Sequence, residues 1–141
     1  MIILDTNVLS ALMQRVPESA VIDWLDAQAP DNVWISSITL YEARYGLALL
    51  DDGKRKELLQ QQLNTLVRDD LDNRVAVFDV RAAKKAAELA AERKRRGRPV
   101  DIRDTFIGGI AIANGAALAT RNTRHFEDLP TPVVNPWDFD R

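Results

Sequence analysis

Three acidic residues that are far apart in the sequence stand at equivalent points of the predicted structure. Asp5 follows a short apolar run, Glu42 lies in the first turn of a helix after the second apolar run, and Asp104 lies in the first turn of a later helix. In an open parallel sheet, the strand ends and the helix starts that follow them lie on one edge, where ligands bind. We therefore expect the three carboxylates to meet at this edge.

A carboxylate cluster of this kind points to a metal centre. Two carboxylates about 4 Å apart repel each other by about 4 kcal/mol at an effective dielectric constant of about 20, so a tight cluster needs a cation. Oxygen ligands with open coordination positions suit Mg²⁺ or Mn²⁺. The chain contains no cysteine and a single histidine, His125, and this composition disfavours zinc.

Each of these acids also has a purely structural interpretation. Acids are favoured in the first turn of a helix because the helix dipole and the free N–H groups stabilise negative charge. The segment from Thr39 to Glu42 fits a capping box, and Asp101 is placed to cap the helix that carries Asp104. Asp101 is therefore only a secondary candidate for the metal site. A capping role explains each acid alone more easily than it explains all three at one edge.

The elements that would position the acids alternate between short apolar runs and helices. The runs are uniformly apolar, which is typical of a parallel sheet covered by helices on both faces. The sequence predicts one α/β domain over residues 1–141, a three-layer sandwich with a central parallel sheet flanked by helices. The strand candidates are Ile2–Leu4, Val33–Ile35, Val75–Phe78, Ala116–Thr120 and Val133–Val134.

Helical spacing of apolar residues marks the segments between these runs. Helices are expected after Asp5, after Pro17, over residues 39–50, around 58–67, over 80–96 and from 101–104 to 114. Two of them carry faces that we expect to pack. These faces are Leu58, Leu59, Leu63, Leu66 and Val67 in one helix, and Ala83, Ala86, Ala87 and Ala90 in another.

Basic and aromatic residues supply weaker signals. The densest positive run, Arg93 to Arg98, is either a solvated helix end or a strip that tracks nucleic-acid phosphates toward Asp104. Arg121, Arg124 and His125 form a candidate second contact, although His125 is expected to be an ordinary surface or interface histidine. Trp24, Trp34 and Trp137 are expected in the core, and Tyr41 and Tyr45 in the core or at a subunit interface.

The overall composition limits the classes of protein. The chain has 141 residues, of which 46% are hydrophobic and 28% charged, which is typical of one globular domain. A net charge of −2 gives no global footprint for nucleic acid, and a ribonuclease site built on two histidines is excluded within one chain. The acid at position 5 argues against a signal peptide, and no apolar run has the length of a membrane span, so we expect a cytoplasmic protein.

The ordered set of motifs resembles that of PIN-domain nucleases. The segment Asp5-Thr6-Asn7-Val8-Leu9 after an apolar strand, the segment from Ser36 to Glu42, and Asp104 are similar to the three motifs of that family. The segment Thr120-Arg121-Asn122, ahead of Asn135-Pro136-Trp137, resembles the ending of its toxin branch, the VapC/FitB group of type II toxin–antitoxin modules. The similarity covers essentially the whole chain.

The resemblance implies a divalent-metal-dependent endoribonuclease in which Asp5, Glu42 and Asp104 bind Mg²⁺ or Mn²⁺ and catalyse phosphodiester hydrolysis. The family often has a fourth acid two residues after a Ser or Thr. Here Thr120 matches, but Asn122 stands in the place of the acid, so it could contact the metal only through its amide or a bound water. The candidate RNA-contacting residues are Asn7, Arg95, Arg96, Arg103, Thr120 and Arg121.

The resemblance also implies partners. Toxins of this group are typically dimers, with the option of a higher assembly, and each is silenced by a cognate antitoxin whose C-terminal segment crosses the active-site groove. An inserted arginine of the antitoxin would satisfy the carboxylates that otherwise hold the metal.

Three other functions remain open at this point. A catalytically inactive PIN-like interaction module is supported only by Asn122. A structure-specific DNA nuclease would use the same carboxylates, because the chemistry does not distinguish the sugars. An aspartyl-phosphate phosphatase with Asp5 as nucleophile would need a second acid two residues later, where Asn7 stands.

Overall fold

The computed structural model of the protein describes residues 1–140. Five strands form one parallel sheet in the order β3-β2-β1-β4-β5. The strands are β1 (Ile2–Leu4), β2 (Val33–Ser36), β3 (Val75–Ala76), β4 (Ala117–Ala119) and β5 (Val133–Val134). In the central strand β1, Leu4 lies opposite Ile35 of β2 on one side and Ala119 of β4 on the other. The predicted parallel α/β architecture is confirmed.

Among residues 1–140, six α-helices flank the sheet. They are α1 (Thr6–Leu12), α2 (Ser19–Asp26), α3 (Ser37–Ala48), α4 (Lys54–Thr65), α5 (Val80–Arg95) and α6 (Ile102–Asn114). A π-helical turn, Leu66–Asp70, continues α4, and short 3₁₀ turns occur at Pro30–Asn32, Thr123–Phe126 and Pro136–Asp138. Within the described residues, no helix is both long and apolar enough to span a bilayer.

The sheet separates two hydrophobic cores. On one face, β1 and β4 pack through Ile3 and Leu118 against Leu89 of α5 and against Ile107 and Ile110 of α6. The core of the other face contains Leu4, Val8, Trp24, Leu47 and Leu63, from β1, α1, α2, α3 and α4. The strands are therefore apolar throughout because both of their faces are covered.

The close approach of α5 and α6 depends on one glycine. A Cβ at Gly109 would lie 2.6 Å from the Cβ of Ala86 and 2.7 Å from the carbonyl oxygen of Ala82. Backbone atoms cannot yield at such distances, so any larger residue would push the two helices apart. Asp104 lies in the first turn of α6, so it belongs to the helix that this contact holds against α5.

The start of α3 differs from the prediction. The helix begins at Ser37, and the hydroxyl of Ser36 caps it by accepting a hydrogen bond of 3.0 Å from the Thr39 N–H. Glu42 is therefore the sixth residue of the helix and lies in its second turn. The predicted capping box and the placement of Glu42 in the first turn were wrong, because the strand ends at a serine that is itself a good cap.

Two predicted packing faces also need correction. In α5 the buried residues are Ala82, Ala86, Leu89 and Arg93, whereas Ala83, Ala87 and Ala90 are exposed. In α4, Leu63 is fully buried, but the side chain of Leu58 is 58% exposed. Of the three tryptophans, Trp24 is buried, and Trp34 and Trp137 pack against the two cores while remaining partly accessible. Tyr41 and Tyr45 are exposed, so they do not belong to the core of the chain.

Candidate active site

Asp5 lies at the centre of the sheet edge, between β1 and α1. Its side chain is only 3% exposed, and its backbone N–H donates to the carbonyl oxygen of Ala119 on the neighbouring strand. One carboxylate oxygen accepts from the Thr6 N–H at 2.8 Å. The other accepts from the hydroxyl of Thr120 at 2.7 Å and from the amide of Asn7 at 3.3 Å. The strand end and the helix start thus fix the carboxylate in one orientation.

The electrostatic environment of Asp5 is unfavourable to its charge. Burial raises the pKa of Asp5 above its ordinary value, and the hydrogen bonds from Thr120 and Thr6 oppose this rise. The negative charges of Asp104 and Glu42 raise the pKa further. Two acids from distant parts of the chain therefore act electrostatically on Asp5.

Glu42 reaches the same edge from α3. Its Oε1 accepts a hydrogen bond of 2.8 Å from the hydroxyl of Thr6, which in turn lies 3.0 Å from the hydroxyl of Thr39. Its Oε2 lies 3.5 Å from the guanidinium of Arg103. Glu42 is thus tied to the residue after Asp5 and to the residue before Asp104.

Asp104 reaches the edge from the first turn of α6. Its Oδ2 lies 2.9 Å from Nδ1 of His125. Asp101 caps the helix by accepting from the Arg103 N–H, and its carboxylate also binds the Arg103 side chain at 3.1 Å, which lowers the pKa of Asp101. The predicted capping role of Asp101 is confirmed.

The three acids do not form a ready-made coordination sphere. Among residues 1–140, no group of three or more Asp, Glu, His or Cys side chains is arranged so that it could hold a metal ion. Glu42 is turned toward Thr6 and Arg103, and Asp104 toward His125. An ion would therefore have to exchange these contacts for its own.

The polar residues predicted around Asp5 form one connected network. Thr120 is fully buried and accepts from the Asn122 N–H at 3.0 Å, while its hydroxyl also lies 3.3 Å from the amide of Asn7. The side-chain oxygen of Asn7 accepts from the Arg121 N–H at 3.2 Å. Asn122 itself is exposed at the edge of this network.

The predicted basic residues are distributed unevenly around the site. Arg103 lies beside Glu42, and the guanidinium of Arg121 stacks 4.8 Å above the ring of Trp137. Arg95 and Arg96 are well exposed, and both bind Glu92 on their own helix. Their charge is therefore partly neutralised.

Sequence reasoning missed two contributors. His125 was expected to be an ordinary surface or interface residue, but it contacts Asp104 across a loop, and no sequence signal identifies this pairing. Arg93 was grouped with the exposed basic run, but it is 3% exposed and binds Asp128. The spacing of Ala82, Ala86, Leu89 and Arg93 is that of one helical face and could have revealed its burial.

A groove of about 880 Å³ leads away from the carboxylates between α1, α3 and α4. The polar residues that line it include Thr6 and Glu42 of the acidic site and two arginines, Arg15 and Arg55. The apolar lining residues are Leu9, Met13, Ala43, Leu47, Leu50, Leu58 and Leu59. The groove thus combines an acidic group, an apolar surface and two basic groups.

Comparisons with known proteins agree with this architecture. The family model described as "PIN domain" matches residues 2–131. The plasmid stability protein StbB of Pseudomonas syringae pv. tomato is 44% identical over 98% of this chain and 99% of its own length. The VapC ribonuclease Y4jK of Sinorhizobium fredii is 40% identical over 98% of this chain and 99% of its own length.

A solved structure shows the same fold. The crystal structure of FitAcB from Neisseria gonorrhoeae superposes with a TM-score of 0.90 at 34% identity, covering 99% of this chain and 100% of the matched chain. The parallel sheet with acids at its carboxyl edge thus defines a PIN-domain protein, and the chain belongs to the PIN domain family. Within that family it falls in the VapC/FitB group of toxins from toxin–antitoxin modules.

Proposed function

We propose that this protein is a divalent-metal-dependent endoribonuclease, the toxin of a type II toxin–antitoxin module, with Asp5, Glu42 and Asp104 as its catalytic acids. The observation that carries the proposal is the buried Asp5 carboxylate, whose pKa is raised by burial and by the charges of Asp104 and Glu42. Among the described residues, no positively charged side chain donates a hydrogen bond to the Asp5 carboxylate. Such a carboxylate is stabilised by binding a metal ion.

The chemistry of the donors fits Mg²⁺ or Mn²⁺. Both ions prefer carboxylate, carbonyl and water oxygens, and the three acids present only oxygen atoms. When bound, such an ion orients and acidifies a water for attack on phosphorus and stabilises the leaving oxygen. Asn122 lies near Thr120 and is available as an additional contact through a water.

The chain's own residues prepare this site in defined ways. Thr6, Asn7 and Thr120 hold the Asp5 carboxylate in a fixed orientation. Before substrate and metal bind, Arg103 offsets the negative charge of Glu42, and the ring of His125 contacts the carboxylate of Asp104. We assign RNA phosphate binding to Arg121, which stacks on Trp137, and to the exposed Arg95 and Arg96, which would exchange Glu92 for a phosphate.

The groove between α1, α3 and α4 suits a cognate antitoxin. A segment with apolar residues would cover its leucine-rich lining, and a basic side chain at one end would reach Glu42. The relative named Toxin FitB of Neisseria gonorrhoeae, 34% identical over 97% of this chain, supports the assignment. The exposed Tyr41 and Tyr45, with ring centroids 6.0 Å apart, are candidates for a homodimer interface.

The test compares Asp5→Asn and Asp104→Asn with the wild-type protein on single-stranded RNA in the presence of Mg²⁺ or Mn²⁺. Each variant should cleave at least about 10²-fold more slowly, because it loses a charged group of the reaction centre. Asp31→Asn, at an exposed position remote from the acids, serves as the matched control and should cleave at the wild-type rate. A near wild-type rate in either site variant would refute the assignment.

The same assay separates the alternatives. An inactive module is favoured by one observation, the absence within residues 1–140 of a preformed metal-binding group. It predicts no cleavage and no change in tryptophan fluorescence when a divalent ion is added. The proposed nuclease, in contrast, should show a fluorescence change from its three tryptophans when the ion binds. A DNA nuclease predicts faster cleavage of a DNA of matched sequence than of the RNA.

A further inference from the structure

A buried arginine, Arg93, contacts groups next to the acidic site. Arg93, near the end of α5, makes four hydrogen bonds, although its helix face is otherwise apolar. Two of them bind both carboxylate oxygens of Asp128, at 2.8 and 2.9 Å. This ion pair lowers the pKa of Asp128 and has the fork geometry that fixes both partners in position.

The other two bonds of Arg93 lead to the neighbours of the site. Nη1 donates to the hydroxyl of Thr105 at 3.0 Å, and Thr105 is the residue after Asp104. Nη2 donates to the carbonyl oxygen of His125 at 2.7 Å. The ring of His125 is the group that contacts Asp104. One guanidinium thus binds the residue after Asp104 and the backbone of His125, which lie on different elements.

We infer that Arg93 is a positioning residue of the proposed nuclease site, which sets Asp104 and His125 relative to each other through Thr105 and the His125 backbone. The inference rests on the proposed function, since it concerns the third acid of that site. Arg93 does not bind substrate, because its side chain is only 3% exposed.

A second arginine of the chain shows what a purely structural role looks like. Arg74 also makes several hydrogen bonds, to the carbonyl oxygens of Val33, Pro30 and Asp70. These groups lie at the start of β2 and beside the π-helical turn, away from the acids. Arg93 differs because of its partners. One is Thr105, the residue after the proposed catalytic acid Asp104, and another is the backbone of His125, whose ring contacts Asp104.

The experiment compares Arg93→Met with Arg74→Met as the matched control. Arg93→Met should lower kcat by about 10²-fold through misplacement of Asp104, with KM for RNA changed less than about twofold, because no substrate contact is lost. Arg74→Met should leave both values near wild type. A rise in KM with unchanged kcat would instead assign Arg93 to RNA binding and overturn the inference.

Thr105→Val provides a second variant in case Arg93→Met does not fold. It removes one hydrogen bond to Arg93 from a buried position and leaves the Arg93–Asp128 ion pair intact. We expect a fall in kcat of about tenfold, in the same direction as for Arg93→Met. Arg93→Lys, which keeps the charge but loses the fork, should restore only part of the wild-type kcat.

His125 supplies a readout that is independent of activity. It is the only histidine of the chain, so its ring gives one isolated NMR signal. Asp104→Asn defines the signal of a ring whose carboxylate contact is lost. Arg93→Met and Thr105→Val should move the signal toward that reference, whereas Arg74→Met should not. Added Mn²⁺ should broaden the signal strongly in the wild type and more weakly in Arg93→Met.

The outcomes separate the two proposals. If Asp104→Asn cleaves RNA normally, the proposed function is wrong, whatever the Arg93 variants do. If Asp104→Asn is inactive but Thr105→Val and folded Arg93→Met keep both the wild-type kcat and the wild-type His125 signal, the positioning role is wrong and the proposed function stands.

Discussion

Two charged side chains of this protein are buried to the same extent and have opposite surroundings. Asp5 and Arg93 are each only 3% exposed. Arg93 forms a two-bond ion pair with Asp128 and donates two further hydrogen bonds. Asp5 receives hydrogen bonds from neutral groups alone among the described residues, and the nearby Asp104 and Glu42 repel its charge.

The difference shows how a buried charge indicates its role. A charge that its own chain neutralises contributes to structure, and removing its partner is costly because the remaining charge is stranded. A charge that the chain buries near like charges, without a cationic partner, is maintained at a cost in stability. In this protein, the second kind of charge marks the proposed reaction centre, and the first kind fixes the elements around it.

The largest expected effect on stability comes from breaking the paired charge. Arg93→Met leaves the Asp128 carboxylate without its positively charged partner and removes the hydrogen bonds to Thr105 and to the His125 carbonyl oxygen. We therefore expect a loss of about 3 kcal/mol in the free energy of unfolding. Urea denaturation of the variant and of Arg74→Met at pH 7 measures this loss. A loss below about 1 kcal/mol for Arg93→Met would show that its network does not hold these elements together.

The next effect tests the unpaired charge. Mg²⁺ at 100 times its dissociation constant should stabilise the wild-type protein by about 2.7 kcal/mol, because it binds only the folded state. Asp5→Asn should abolish this gain, and Arg74→Met should retain it. Thermal unfolding with and without Mg²⁺ gives the comparison. Equal stabilisation of Asp5→Asn would place the ion elsewhere.

The ion pair should also show a pH dependence of defined sign. The pKa of Asp128 is lowered below its ordinary value of 3.8 in the folded state, so its contribution to stability is present above that value and is lost as the pH falls through the folded pKa. The difference in unfolding free energy between wild type and Asp128→Asn should be constant near neutral pH and shrink in acid. A difference that grew in acid would contradict the pairing.

The smallest effect has the opposite sign. Asp5→Asn removes a buried charge whose pKa is raised, so in the absence of metal it should stabilise the fold at neutral pH by about 1 kcal/mol. The gain should disappear in acid, where the wild-type carboxyl group is itself protonated. A destabilised Asp5→Asn protein would mean that the hydrogen bonds to the carboxylate outweigh its burial.

Much of this arrangement could be predicted from the sequence. The uniformly apolar runs gave the parallel sheet, and the position of Asp5 after the first run placed it at the carboxyl edge. Position along α3 was harder to predict, because Ser36 and Thr39 are both good caps and only the end of β2 decides between them. Glu42 was thus placed one turn too early along the helix.

The environment of the site could be predicted less well. Alanine tolerates burial and exposure alike, so the buried face of the alanine-rich α5 was hard to assign, and the predicted face of Ala83, Ala86, Ala87 and Ala90 was right only at Ala86. Only Leu89 marks the buried side, and Arg93 lies one turn further along that side. The Asp104–His125 contact depends on the path of the loop after β4, which local sequence rules do not determine.

The central claim is that Asp5, Glu42 and Asp104 share one divalent ion. A crystal soaked in Mn²⁺ tests it most directly through anomalous scattering. We predict a single strong peak between Asp5 and Asp104, with Glu42 turned away from Arg103 and Asp104 turned away from His125. A soaked crystal with no peak there, and with both of those contacts unchanged, would contradict the claim.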